Sequence, residues 1–351
     1  MRYIPIEKLT SGMVLGKDLF DGAGRILLSK HVILSHEYIS NLSYLGFQGA
    51  YIDEGFTRGL EIQEVLQPEV KREALKLVTK MFNMDTMEKS DLTEEQRQIQ
   101  QMVSEIIENI LSDGDIMMSL LDLKAYDDYT YFHSVNVATI SVMIGAYDEM
   151  EKEELIQLAQ AAILHDIGKK FLDINVLNLP RAMNKKEKEA VQEHTRLGHN
   201  FLRNNFDFSE EVWLSVLEHH ERYDGKGYPN QKAGEEIQVY ARIIAIAEAY
   251  DAMVSKRPYR DAVSPSDAVE YLMSESGGAF DPKYIKLFIK KIAVYPIGCE
   301  VELSNGKHAI VIKNYQDFPL RPKVRILNDE SELDLKRDSE ARNITVTDVL
   351  L

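Results

Sequence analysis

The chain has 351 residues, 44% hydrophobic and 28% charged, which is ordinary globular material with room for two or three domains. A formal net charge of −16 argues against a general binder of polymeric nucleic acid or of anionic membranes, though a locally positive pocket could still take a small anion. The single cysteine, Cys299, excludes a disulfide framework and a thiolate zinc site. The first residues, MRYIPIEKLTSG, lack a signal-peptide core, and no run of about 18 apolar residues occurs. A soluble cytoplasmic protein without membrane insertion is expected.

Residues 1–56 read as a small α/β domain. Asp21-Gly22-Ala23-Gly24 signals a turn, Arg25 to Leu28 suits a strand, Ser35 can cap a helix reaching Leu45, and Gln48 to Ile52 suits another strand. Residues 57–124 read as connecting helices broken by the polar stretch MDTMEKSDLTEE (84–95), with a capping box at Thr93 to Gln96. Their amphipathic faces suit a homodimer interface or internal packing equally. A helical domain follows over 125–292, with a second capping box from Asn184 to Glu187. After Pro296, VEL and HAIVI flank Asn305-Gly306, the strongest short hairpin signal, and PKVRIL adds a strand, so 293–351 reads as a small β domain. The fold class is mainly α, a helical bundle core between two small terminal domains.

The histidines carry the chemistry. His133 lies on YTYFHSVNVATISVMIGAY, in the stripe Phe132, Asn136, Val137, Ile140 and Ile144. His165 and Asp166 end a helix whose inward stripe is Leu155, Leu158, Ala159, Ala162 and Ile163, and His194 sits near the end of a helix from Glu187. His219 and His220 extend the stripe of Val212, Trp213, Val216 and Leu217; Glu248 and Asp251 interrupt the apolar ARIIAIAEAYDAMV. Any one of these is most simply a hydrogen-bonded core residue. Five imidazoles and two carboxylates facing one core would together carry a large desolvation penalty, which metal ions compensate. Ligation by nitrogen and oxygen alone suits Fe, Mn, Co, Ni or Zn, and two neighbouring ions are equipment for phosphoester hydrolysis.

The order H…HD…H…HH…D resembles the HD-superfamily metal-dependent phosphohydrolases. LHDIGK (164–169), HTRLG (194–198), HHERYDGKGYP (219–229) and AYDAMVSKRPYR (249–260) resemble the HD-GYP subfamily of cyclic di-GMP phosphodiesterases, over roughly residues 125–290. The resemblance implies an HD-type helical core and a metal site of His133, His165, Asp166, His194, His219, His220 and Glu248, with Asp166 bridging two divalent ions, Fe or Mn before Zn, Co or Ni. The family has aspartate where this chain has Glu248. Some relatives hold a third metal with a glutamate four residues before the first histidine; Tyr129 stands there, so two ions are expected.

The resemblance further implies hydrolysis of cyclic di-GMP to pGpG, GMP or both by a metal-bridging hydroxide. Asp166 and Lys169 are the catalytic candidates, and Lys169, Asp251, Arg257 and Arg260 the substrate-binding ones, guanidinium matching phosphate and Asp251 serving to orient ligands or to hold the arginines. KFLDINVLNLP (170–180) departs from the usual family wording beside the site. Two alternatives stand: a mixed GMP–AMP ring as substrate, or a catalytically weak cyclic di-GMP sensor. His31, His36, His199 and His308 match nothing and read as structural or surface residues, Trp213 as core, and DGKGYP as a loop scaffold.

Overall fold

The structure, a computed structural model, describes residues 1–21, 25–55, 60, 65–83, 89–112, 118–119, 129–177, 179, 181–255, 262–328 and 330–350. Strand β1 (Arg2–Pro5) opens the chain, followed by β2 (Leu19–Phe20), β3 (Ile26–Leu28), α1 (His36–Tyr44) and β4 (Gly49–Ile52). The Ser35 hydroxyl accepts from the Tyr38 amide, so α1 starts where its cap residue predicts. β1, not foreseen, pairs antiparallel with β4, and Ile4, Leu15, Leu34, Ala50 and Ile52 form a small core beneath. Residues 22–24 of the expected turn lie outside the described residues.

Helices α2 (Pro68–Asn83) and α3 (Lys89–Ser112) spend their apolar faces internally, α2 on α4 (Tyr129–Tyr147) and α3 on α4 and α5 (Lys152–Leu164). Ala74, Leu75, Val78 and Met81 of α2 meet Ile99, Val103 and Ile106 of α3 in the main core. The capping box at Thr93 is not formed, because α3 begins several residues earlier and runs through it. Buried Glu95 is held there by Lys80 of α2 at 2.6 Å, a tertiary contact that favours helix where the polar run suggests a break.

α4 is the centre of the molecule. From Phe132 to Ile144 it is buried on every side rather than along one stripe, packed between α5 and α10 (Val239–Val254). β5 (Met118–Ser119) precedes it and pairs in parallel with β6 (Ile292–Ala293), far along the chain. After α5 come a 3-10 helix (Ile167–Phe171), α6 (Ile174–Leu177), α7 (Lys185–Gln192), α8 (His194–Asn205) and α9 (Glu210–Glu218). Asn184 caps α7 with both bonds of the box formed. His194, expected near the end of that helix, instead begins α8, because the chain turns at Glu193. α11 (Pro265–Ser274) and α12 (Pro282–Lys291) complete the helical body.

The C-terminal sheet joins β7 (Glu300–Leu303), β8 (His308–Lys313), β9 (Lys323–Ile326), β10 (Glu332–Asp334) and β11 (Val346–Leu350) in the order β10-β9-β8-β7-β11, antiparallel throughout. Gly306, at φ 75°, makes the β7–β8 turn that Asn305-Gly306 predicts. The two ends of the chain meet: the Tyr3 amide donates to the Gly298 carbonyl at 2.8 Å, and Arg2 pairs with Glu300 at 2.6 Å. Among the described residues no helix is long and apolar enough to cross a membrane.

Candidate metal centre

Three helix ends converge on one point. An α-helix leaves its last carbonyls without intrahelical partners, and here imidazoles take three of them. His165 Nδ1 donates to the Ala162 carbonyl at 2.7 Å, His194 Nδ1 to Val191 at 2.6 Å and His219 Nδ1 to Val216 at 2.8 Å. Each histidine reaches back three residues into the final turn of α5, α7 or α9. A carbonyl only accepts, so Nδ1 carries the proton in all three, and the Nε2 lone pairs of the neutral rings point the other way.

Those lone pairs meet. Nε2 of His194 and Nε2 of His219 lie 3.3 Å apart. Asp166, wholly buried, sets Oδ2 3.4 Å from His165 Nε2 and 3.9 Å from His133 Nε2, and Oδ1 3.4 Å from His194 Nε2. His165 Nε2 and Asp166 Oδ1 are buried without a hydrogen bond. Two acceptor nitrogens facing each other, beside an unsatisfied carboxylate oxygen, repel unless a cation lies among them. Ligand atoms of His133, His165 and Asp166 lie within 4.8 Å of one another, as do those of His194, His219 and His220, and those of His165, His219 and Glu248.

The electrostatics agree with the donor set. Burial pushes the His194 imidazole down to about 3, and burial likewise lowers His219 and His220, so these rings stay neutral and able to ligate. Burial pulls His165 down too, but adjacent Asp166 outweighs it and raises the ring. Burial opposes ionisation of Asp166, yet Lys169, His165 and His194 hold its carboxyl well below the usual range. Glu248 is treated alike: burial raises it, while His220 and His165 bring it below its ordinary value. Neutral imidazoles with ionised carboxylates are the form that divalent transition ions bind, and the residues present fit that group.

Close backbone packing brings the pieces together. A Cβ on Gly168 would lie 1.9 Å from the His194 carbonyl oxygen and 2.6 Å from the Gly198 amide nitrogen, so the 3-10 helix lies directly on α8 only because 168 is glycine. Lys169 donates to Asp166 Oδ2 at 2.5 Å with its side chain partly open to solvent. Glu248, one methylene longer than aspartate, does reach the cluster, with Oε2 3.5 Å from His220 Nδ1.

Asp251 behaves differently from a substrate contact. It is completely buried, with Oδ2 on His133 Nδ1 at 2.7 Å and Oδ1 accepting from Asn136 Nδ2 at 2.8 Å. Both oxygens are engaged behind the first histidine, which it orients. Asn136, one turn beyond His133, appeared in the sequence only as a polar member of an apolar stripe. Arg257 and Arg260 lie outside the described residues, and the Tyr129 side chain likewise. His199 packs on half-buried Trp213, and His308 pairs with Glu300 at 2.9 Å; His31 and His36 lie on the N-terminal module, and none of the four belongs to the ligand groups above.

Residues 87–284 match the HD domain family and residues 300–348 the KOW domain associated with HD domain. The chain belongs to the HD domain family, and its motif wording places it in the HD-GYP branch. Among curated proteins it is 34% identical over 225 residues to the cyclic di-GMP phosphodiesterase PA4108 of Pseudomonas aeruginosa, covering 64% of this chain and 54% of that protein. It is 37% identical over 142 residues to the cyclic di-GMP phosphodiesterase response regulator RpfG of Xanthomonas campestris pv. campestris, covering 40% and 38%. With the 3'3'-cGAMP-specific phosphodiesterase 2 of Vibrio cholerae it shares 30% over 169 residues, covering 48% and 32%. The chain thus spans about half or less of the curated relatives it matches.

Proposed function

We propose that this protein is a metal-dependent phosphodiesterase that hydrolyses a cyclic dinucleotide, cyclic di-GMP first, to pGpG, GMP or both. The observation that carries this reading is the 3.3 Å approach of two buried imidazole nitrogens beside a buried Asp166 oxygen that makes no hydrogen bond. His133 and His165 would hold one divalent ion and His194, His219 and His220 a second. Asp166, with one oxygen toward each set, would bridge them, and Glu248 would close the side formed by α10. Iron or manganese suits this nitrogen and oxygen set. When bound, such ions supply positive charge to phosphoryl oxygens and lower the pKa of water.

The chain's own residues do the rest. The carbonyl locks aim each Nε2 inward, so no ring has to turn when the centre is loaded. Lys169, at the rim, would meet a phosphate oxygen once its partner Asp166 is engaged elsewhere. Arg257 and Arg260 would grip the phosphates from the segment after α10. Asp251 and Asn136 hold His133 and touch no substrate.

A mixed GMP–AMP ring is the second reading, favoured by the similarity to a 3'3'-cGAMP-specific relative. Purified protein loaded with iron or manganese, offered cyclic di-GMP and 3'3'-cGAMP in parallel, separates the two by rate and product. Loss of hydrolysis in folded Asp166→Ala, and after metal stripping, is expected. Full activity in either case refutes the proposal, and tight binding without turnover would show a sensor instead.

A further inference from the structure

Four of the five clustered imidazoles are fixed through Nδ1, three by helix-end carbonyls and His133 by Asp251. His220 differs. Its Nδ1 faces Glu248 Oε2 at 3.5 Å, too far for a firm hydrogen bond, and its side chain is 23% exposed. Besides the rings of His219 and His194, which are themselves ligand candidates, Tyr228 lies against it, stacked at 4.7 Å between centroids and 26° between planes.

The tyrosine is itself held by an unusual arrangement. The pair His219-His220 is flanked by Glu218 and Glu221, and both carboxylates are buried, 1% and 3% exposed. Neither reaches into the cluster of histidines; each ties down the loop that follows. Glu218 accepts from Lys232 Nζ at 2.5 Å and from the Gln238 amide at 2.8 Å, and Glu221 accepts from the Asn230 amide at 2.6 Å. The Tyr228 amide donates to the His220 carbonyl at 3.2 Å. Beside it, a Cβ on Gly227 would come within 2.3 Å of the Arg222 amide nitrogen, so the loop is pressed onto the corner that carries the histidines. Burying two carboxylates is costly, and here both are used to anchor one short loop.

We infer that Tyr228 is a positioning residue for His220, its ring pressed against the imidazole by a loop that Glu218 and Glu221 clamp. The inference rests on the metal-centre reading and adds to it a means of fixing the one clustered imidazole whose Nδ1 makes no close hydrogen bond among the described residues. The stacking face matters, not the hydroxyl.

The test uses the full chain loaded with Mn2+, whose affinity is read by competition with a chelator, alongside cyclic di-GMP hydrolysis and thermal melts. Tyr228→Phe, which keeps the ring, should match wild type within about twofold. Tyr228→Leu should lose on the order of tenfold in Mn2+ affinity, the usual scale for removing an outer support of a ligand. Its kcat should fall while KM stays nearly constant, and its metal-free melting temperature should hold. Lys232→Met, at a position open enough for water to replace the ammonium, should loosen the clamp and move affinity the same way; it decides the matter if the leucine variant fails to fold. Wild-type affinity in both Tyr228→Leu and Lys232→Met, or a phenylalanine variant as weak as leucine, overturns the inference alone. A wild-type protein that takes up no Mn2+ overturns the metal centre and the inference with it.

Discussion

Gly168→Ala is the sharpest test of how the centre is assembled. The new Cβ would lie 1.9 Å from the His194 carbonyl oxygen, while ordinary contact begins near 3.4 Å, so the 3-10 helix and α8 must part by about 1.5 Å. The obstacle is backbone on both sides, and no rotamer change relieves it. Overpacking of this kind costs about 1–3 kcal/mol. For a body of this size each kcal/mol lowers the melting temperature by about 2–4 °C, so a fall of roughly 2–12 °C is expected. Displacement of His194 by an ångström or more should cost on the order of a hundredfold in turnover. Gly198→Ala should be milder, since its Cβ would meet the Val216 methyl at 3.0 Å, and Gly55→Ala, with nothing within 4 Å, serves as the control. Melting curves, metal content and hydrolysis rates on the three variants check the ranking. A Gly168→Ala protein with wild-type melting and full metal content would refute the packing argument.

Asp251→Asn keeps the shape but presents an amide to His133 and Asn136, and should weaken metal binding by about ten- to a hundredfold in chelator competition; unchanged affinity would mean that Asp251 does not orient His133. Glu248→Asp shortens the reach to the cluster by a methylene while α10 stays in place, so metal retained per chain, measured by elemental analysis, should fall. The metal-free protein should lose stability as pH falls from about 6.5 toward 3. His194, His219 and His220 are held below their ordinary value, so between those limits the unfolded chain binds more protons than the folded one. His165, raised by Asp166, works the other way but is one ring against three. Melting temperatures of stripped protein that stay flat or rise between pH 7 and pH 5 would contradict this assignment.

Much of the frame was legible because its signals are local. α4 spans the stretch read as one helix, Ser35 and Asn184 cap where expected, and Asn305-Gly306 turns a hairpin. The clustering of His133, His165, Asp166, His194, His219, His220 and Glu248 was legible as well, since polar residues on apolar faces need a shared partner. What escaped depends on contacts between distant segments. Thr93 looks like a cap, but the contact of Glu95 with Lys80 lies in the tertiary structure. β10 and β11, three and five residues of mixed polarity, earn strand geometry only from the sheet they join. Asp251 reads equally as an orienter of ligands or a partner of the arginines until its contacts with His133 and Asn136 are seen. Tyr228 reads as scaffold for the same reason, its stacking partner lying eight residues back across a folded loop.

The carbonyl locks also divide the centre into parts that can and cannot change. Positions 165, 194 and 219 are tied to peptide groups of their own helix ends, and Gly168 fixes the spacing between two of those ends. A different side chain there has no compensating rotamer, because the geometry belongs to the main chain. Glu248 stands on α10 without such a tether, and it is the position where the sequence resemblance leads one to expect an aspartate. Ligand length can therefore change on the α10 wall without disturbing a main-chain lock, so relatives that differ in the ion they retain should differ at that wall.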